Sequence, residues 1–252
     1  MTAVRTLTRN DVLNSLRRSL EPKRHILAMW EGGAAAFGRV DRWSDIDLMV
    51  AATDGTVARA ARDIERILRR LSPFSAQLAA KHPNWPDMVH TFYKLRDAGE
   101  YLMVDVAVMP QHSPDKLLEP EIHGESLVHF DKARICRPAR LDRAAFRAAL
   151  RRRRTRMTAM FAIVGNFARK ELHRDNPIEA AYNYQMILDL LVEALRMKHG
   201  PHHYNFRGRY VHYELPAPVV RRLQPLFFVK DTADLGRKER RVRQWFRALT
   251  AS

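Results

Sequence analysis

Two aspartates at i and i+2, Asp45 and Asp47, stand at the head of the apolar run Ile46 to Val50, and this pattern constrains the local fold more than any other in the chain. Successive side chains of a strand point to opposite faces, so Asp45 and Asp47 share one face while Ile46 and Leu48 occupy the other. Upstream lies Gly32-Gly33-Ala34-Ala35-Ala36-Phe37-Gly38, a glycine turn able to open a helix. Such a turn offers backbone N–H groups to anions. Hard cations such as Mg²⁺ take carboxylate oxygens together with substrate phosphates. The two features together predict a divalent-cation site beside a phosphate cradle, which is chemistry for a nucleoside triphosphate.

A third carboxylate follows at Asp105, inside Tyr101-Leu102-Met103-Val104-Asp105-Val106-Ala107-Val108. A lone aspartate in so apolar a strand is costly to bury, so it needs a partner or a metal. Plainer readings exist for each element. The Asp-x-Asp pair also fits a solvated strand end, and Asp105 also fits a buried turn cap or an arginine partner.

The combination resembles the nucleotidyltransferase superfamily of DNA polymerase β type, which includes antibiotic nucleotidyltransferases acting on aminoglycosides and lincosamides. Its signature is a Gly-Gly or Gly-Ser turn, an Asp-x-Asp flanked by apolar residues, and a later carboxylate. Gly33, Asp45, Asp47 and Asp105 match it. The resemblance implies an α/β nucleotidyltransferase domain with a mixed sheet, followed by an α-helical bundle domain. It also implies transfer of a nucleoside monophosphate, AMP from ATP, to an acceptor hydroxyl with pyrophosphate leaving. Asp45, Asp47 and Asp105 would hold two Mg²⁺ ions, one clamping the triphosphate and one activating the hydroxyl, with Asp105 otherwise taking the acceptor proton, and Gly32, Gly33 and Ala34 would line the phosphates.

Two positions depart from the family pattern. Ala34 stands where many relatives carry a serine whose hydroxyl helps hold phosphate, and Phe37 replaces a frequent basic residue of the turn. Arg39 and Arg42 lie close enough in sequence to substitute. The alternative reading is therefore a catalytically degenerate member, a binding module for nucleic acid or an acidic protein.

A coarse pass along the chain supports this organisation. Thr8 or Asn10 caps a first helix through Leu20, and His25 to Glu31 reads as the strand that delivers Gly32. Val57 to Leu71 has helical spacing in Ala60, Ile64, Ile67, Leu68 and Leu71. Met88 to Leu95 and Tyr101 to Met109 read as a β-hairpin whose second strand brings Asp105 beside the first pair. A short strand is expected at Ser126 to Phe130, preceded by a polar surface loop at Glu121 to Glu125. From Leu141 the pattern is helical. Asn176-Pro177-Ile178-Glu179 starts one helix and Gly200-Pro201 closes it. Further helices are expected at Pro216 to Phe227 and Asp231 to Leu249. The expected division is a nucleotidyltransferase domain over 1–138 and a helical C-terminal domain over 139–252.

Charge separates the halves. The chain carries 44 Lys and Arg against 28 Asp and Glu, net +16. Residues 1–110 hold 16 basic and 13 acidic side chains, whereas residues 111–252 hold 28 and 15, net +13. Such a field favours anionic partners. An anionic or neutral acceptor is thus expected over a polycation, nucleic acid being one option, although Glu171, Asp175, Glu179, Asp189 and Glu193 offer material for a local acidic wall. Cys136 is the single cysteine, so no intrachain disulfide is expected. Without an N-terminal apolar stretch or a membrane span, a cytoplasmic, membrane-free protein is expected.

Arg151-Arg152-Arg153-Arg154-Thr155-Arg156 falls within a helix whose apolar stripe includes Phe146, Leu150, Met157 and Phe161. At about 100° per residue these arginines cannot all face solvent. Arg153 and Arg154 flank the stripe, where they either snorkel or pair at the core edge or reach toward triphosphate. His202-His203 lacks spaced co-ligands for zinc. Tyr204 to Tyr210 mixes aromatic and basic residues, as a base-stacking surface or a loop between helices does.

Overall fold

The computed structural model describes residues 6–251. The chain divides into two compact units, the first ending at Arg140 and the second beginning at Leu141. The first contains α1 (Arg9–Leu20), β1 (Ile26–Glu31), α2 (Gly33–Ala36), β2 (Ile46–Ala52), α3 (Val57–Leu71), β3 (Phe74–Ala80), β4 (Val89–Leu95), β5 (Val104–Pro110), α4 (Pro120–His123) and β6 (Leu127–Asp131). The strands form one sheet in the order β3-β4-β5-β2-β1-β6. All neighbours are antiparallel except β2 and β5, which run parallel. Parallel neighbours need a crossover, and α3 with the β3–β4 hairpin supplies it.

Alternation along β2 and β5 separates two faces. Ile46, Leu48, Val50, Val104, Val106 and Val108 join Val12, Leu16, Ile64 and Leu68 of α1 and α3 in the main core. Each such aliphatic side chain contributes about 1.5–3 kcal/mol on full burial. On the opposite face Met49 and Ala51 join Ala28, Trp30, Met109 and Leu118 in a smaller cluster. Asp47 and Asp105 belong by alternation to this second face, at the N-terminal ends of their strands.

Local chemistry accounts for the helix ends. Thr8 caps α1 in a reciprocal box with Asp11, which satisfies two backbone donors at the start of the helix. The Arg9 side chain projects from its first turn.

The strand β3 was not expected from the sequence. Phe74-Ser75-Ala76-Gln77-Leu78-Ala79-Ala80 is an edge strand with most side chains exposed, and its alanine-rich sequence lacks an alternating pattern. Its pairing with β4 determines its state. Of the segment Glu121 to Glu125, expected as a loop, residues up to His123 belong to the single turn α4, and the Glu125 N–H beyond it donates to the Ala36 carbonyl at 2.9 Å.

The second unit contains α5 (Arg143–Val164), α6 (Phe167–His173), α7 (Pro177–His199), α8 (Val211–Glu214), α9 (Ala217–Leu223) and α10 (Thr232–Thr250). Asn176 caps α7 and Asp231 caps α10, each side chain accepting from a backbone N–H of the first turn. The core of this unit centres on Ile187, Leu188, Leu191 and Leu195 of α7, with Val242 and Phe246 of α10. The rings of Phe161 and Phe246 stack at 3.9 Å. The expected helix over Pro216 to Phe227 is α9 followed by a 3₁₀ turn over Gln224–Phe227.

Candidate active site

Asp47 and Asp105 are register partners across the parallel pair β2–β5. Both are partly exposed while their strand neighbours Ile46, Leu48, Val104 and Val106 are buried. Asp45 sits one residue before β2, also half-buried. The backbone enters β2 through an Ile46 N–H that donates to the Met103 carbonyl at 3.0 Å. This bond fixes the heads of both strands together and leaves three carboxylates within two short backbone segments.

The glycine turn is fastened to the same strand. The Gly32 N–H donates to the Asp47 carbonyl at 3.0 Å, so this donor is committed to the sheet. Gly32 therefore closes the turn onto β2, and the N–H groups at the start of α2 belong to Gly33, Ala34 and Ala35. The first N–H groups of a helix have no partner within it. Gly33 has φ +52°, and a Cβ there would lie 1.7 Å from Asp47 Oδ2. No residue larger than glycine fits against that carboxylate as it stands.

Arg39 and Arg42 follow the turn, each with its guanidinium beside an aromatic ring. The Arg39 N–H donates to the Ala34 carbonyl at 2.8 Å, and its guanidinium lies 5.1 Å from the Phe37 ring centre. The Arg42 guanidinium stacks over Trp43 at 4.0 Å. Arg153 and Arg154 belong to α5 of the second unit. Arg153 forks onto Glu193, with Nε to Oε1 at 2.5 Å and Nη2 to Oε2 at 2.7 Å. Hydrogen bonding to Glu193 raises the Arg153 pKa above the usual guanidinium value. Arg153 and Glu193 line a pocket of about 440 Å³ with Asp189 and Tyr204. Arg154 Nη2 donates to the Leu249 carbonyl at 3.4 Å.

Sequence reasoning missed two sets of neighbours. His90 Nε2 bonds Asp105 Oδ1, and His90 Nδ1 meets His82 Nε2 at 2.6 Å. The sequence signal was weak, since His90 stands within the expected strand Met88 to Leu95 and His82 in the polar stretch before it, without motif spacing. The partner that Asp105 required is therefore a histidine from the adjacent strand. The second set surrounds Glu31, which is fully buried one residue before the glycine turn. Its carboxylate is held by Arg9 Nη2 and, at 2.8 Å, by His129 Nε2. Arg9 Nε also donates to the Asp45 carbonyl at 3.5 Å. A buried charge must be paired, and here the pairing ties α1, β1, β6 and the Asp45 segment into one frame.

Among the described residues no group of three or more His, Cys, Asp or Glu side chains stands assembled as a metal cage. Mg²⁺ needs no such cage, because it binds through one or two carboxylates, waters and substrate phosphates. Two in-register aspartates beside the start of a helix suit that donor chemistry. Among the described residues no helix is long and apolar enough to cross a membrane.

No family model matches the chain, and no curated protein matches it. Among solved structures the chain is similar to an aminoglycoside 6-adenyltransferase from Bacillus subtilis, with 12% identity, a TM-score of 0.35, and coverage of 97% of this chain and 89% of that one. At that score the likeness is too weak to bear on the chemistry, which must be read from the residues themselves.

Proposed function

We propose that the protein is a Mg²⁺-dependent nucleotidyltransferase, passing a nucleoside monophosphate, AMP from ATP, to an acceptor hydroxyl. The observation that carries this reading is the in-register pair Asp47 and Asp105 with the Gly33 backbone packed against the Asp47 carboxylate. A purely structural turn has no need to press its tightest residue against a charged group.

In this reading the N–H groups of Gly33, Ala34 and Ala35 meet phosphate oxygens of the triphosphate. Asp45 and Asp47 would hold Mg²⁺, with Asp105 alongside, and the ion when bound would neutralise triphosphate charge and favour the alkoxide of the acceptor. Asp105 takes the proton from the acceptor hydroxyl at Oδ2, while His90 holds Oδ1 in place. The acceptor oxygen forms a bond to the α-phosphorus, the bond from that phosphorus to the bridging oxygen breaks, and pyrophosphate departs with the electron pair. The Arg9–Glu31–His129 group has no contact with the reacting atoms in this scheme and keeps the Asp45 segment in register.

The test is calorimetry of the full chain with ATP, with and without Mg²⁺. Joint, Mg²⁺-dependent binding is expected, followed by pyrophosphate release when a panel of hydroxyl acceptors is added. Mg²⁺-independent ATP binding, or none, would reject the reading.

A further inference from the structure

The helix α5 carries seven arginines and no acidic residue, and from Arg143 to Lys170 the chain has nine basic side chains against none acidic. At about 100° per residue Arg143, Arg147, Arg151 and Arg154 fall within about 80° of arc, stepping along the axis by i+4, i+4 and i+3. All four are exposed. Among the described residues none of the four side chains forms an ion pair, and only the Arg154 side chain makes a hydrogen bond, to the Leu249 carbonyl at 3.4 Å. Cations elsewhere in the unit take up five of its ten acids, and Asp142 caps α5. Glu193 is held by Arg153, Glu214 by Arg196, Asp234 by Lys238, Glu239 by Arg243 and Glu171 by Arg174. The stripe is thus left as an uncompensated row of guanidinium groups in a unit of net charge +13, from 23 basic and 10 acidic residues over 141–252.

We infer that this stripe binds the phosphodiester backbone of a nucleic acid. The arginines stand about 6 Å apart along the axis where the step is four residues, and a guanidinium fork matches phosphate oxygens bidentately. Between Arg143 and Arg154 no other side chain falls within that arc; Ala144 flanks one edge of it and the half-buried Leu150 the other. A protein partner would be expected to find an aromatic or aliphatic anchor at the centre of the patch; here the centre holds only arginines, and Phe146 and Leu150 stand half-buried along one edge. The inference is independent of nucleotide transfer, because none of the four arginines belongs to the carboxylate site.

The experiment is fluorescence anisotropy of the full chain with a short labelled single-stranded RNA, and in parallel a DNA duplex, titrated between about 50 and 200 mM salt. Arg147→Gln/Arg151→Gln removes two stripe charges. Arg152→Gln/Arg156→Gln removes two exposed charges from the same helix away from the stripe. Gln has nearly the helix propensity of Arg, so both variants keep the helix. The stripe variant is expected to weaken binding about tenfold and to flatten the plot of log K against log salt by about 1.4 for a single strand, while the off-stripe variant changes the slope by less than half of that. Equal effects of the two variants would mean bulk charge and overturn the stripe. Polyglutamate competing as well as unlabelled oligonucleotide would reassign the face to an acidic protein. Absence of binding to either nucleic acid at about 100 mM salt would overturn the inference outright.

Discussion

Gly33 lies against Asp47 so closely that a Cβ at position 33 would stand 1.7 Å from Oδ2 and 2.5 Å from Cγ of that carboxylate, and its φ of +52° is one that L side chains rarely adopt. Gly33→Ala should therefore displace Asp47 as well as strain the turn. The left-handed backbone alone costs about 1–2 kcal/mol. Gly38 is the control, since it has φ +63° but open space around its Cβ position. Gly33→Ala should abolish Mg²⁺·ATP binding by calorimetry, whereas Gly38→Ala should lower the melting temperature by a few degrees and retain binding. Equal retention by both would separate the turn from the nucleotide.

Asp47→Asn keeps the size of the side chain and removes its charge. Asp47 and Asp105 are neighbours in register, so removing one of two like charges relieves repulsion. The expected result is a melting temperature equal to or above that of the wild type, with loss of Mg²⁺-dependent triphosphate affinity. Unchanged Mg²⁺·ATP affinity would remove Asp47 from the site.

The carboxylate pair was legible in the sequence because strand alternation and the hairpin before β5 are local signals, and both put an aspartate among apolar neighbours. The frame around them was not. Glu31 belongs to an apolar strand and its partners Arg9 and His129 are 22 and 98 residues away, a closure that only the sheet order creates. Asp105 announced the need for a partner but not which residue met it, since His90 comes from a different strand. The strand β3 hid for a related reason, an exposed edge having no buried face to impose a period. In α5, helical spacing correctly placed Arg153 and Arg154 on the flanks of the apolar stripe. That Arg153 meets Glu193 depends on the packing of α5 beside α7.

Ala34 follows the glycine turn directly and is half-exposed. A hydroxyl there would add one donor to the N–H groups proposed to hold phosphate. Ala34→Ser should strengthen Mg²⁺·ATP binding by about 0.5–1.5 kcal/mol, the net worth of one hydrogen bond. Calorimetry that finds no gain, or a loss, would move the phosphates away from this turn.

His90 touches Asp105 and no reacting atom, so it acts as a positioning residue. Replacing such an outer partner typically costs about 10–100-fold in activity. His90→Ala should lower kcat of nucleotide transfer within that range with little change in KM for ATP, and His90→Gln, able to keep a donor near Oδ1, should recover part of the loss. A parallel rise in KM without a fall in kcat would assign His90 to nucleotide binding instead.

Acid should loosen the first unit through two aspartates whose pKa values lie below the usual carboxylate value of 3.8. For Asp63, burial pushes upward but is outweighed by Lys23 and His25, whose side chains lie at 3.3 and 3.0 Å. For Asp131, burial again pushes upward and is outweighed by backbone N–H donors of Ile135, Cys136, Ala133 and Arg134. A lowered folded-state pKa means that the unfolded chain binds more protons in acid, so this stabilisation is complete above 3.8 and is lost as pH falls through the lowered values. The melting temperature followed between about pH 5 and 2 should fall steeply, and Asp131→Asn should flatten that descent. The same substitution reports on Cys136, whose thiol is pushed up to about 12, first by burial and then by the charge of Asp131 and a hydrogen bond to it. Iodoacetamide should alkylate native Cys136 slowly at neutral pH and faster in the Asp131→Asn variant, because thiolate is the reactive form. An acid limb of the same steepness in both proteins, with equal alkylation rates, would show that Asp131 organises neither.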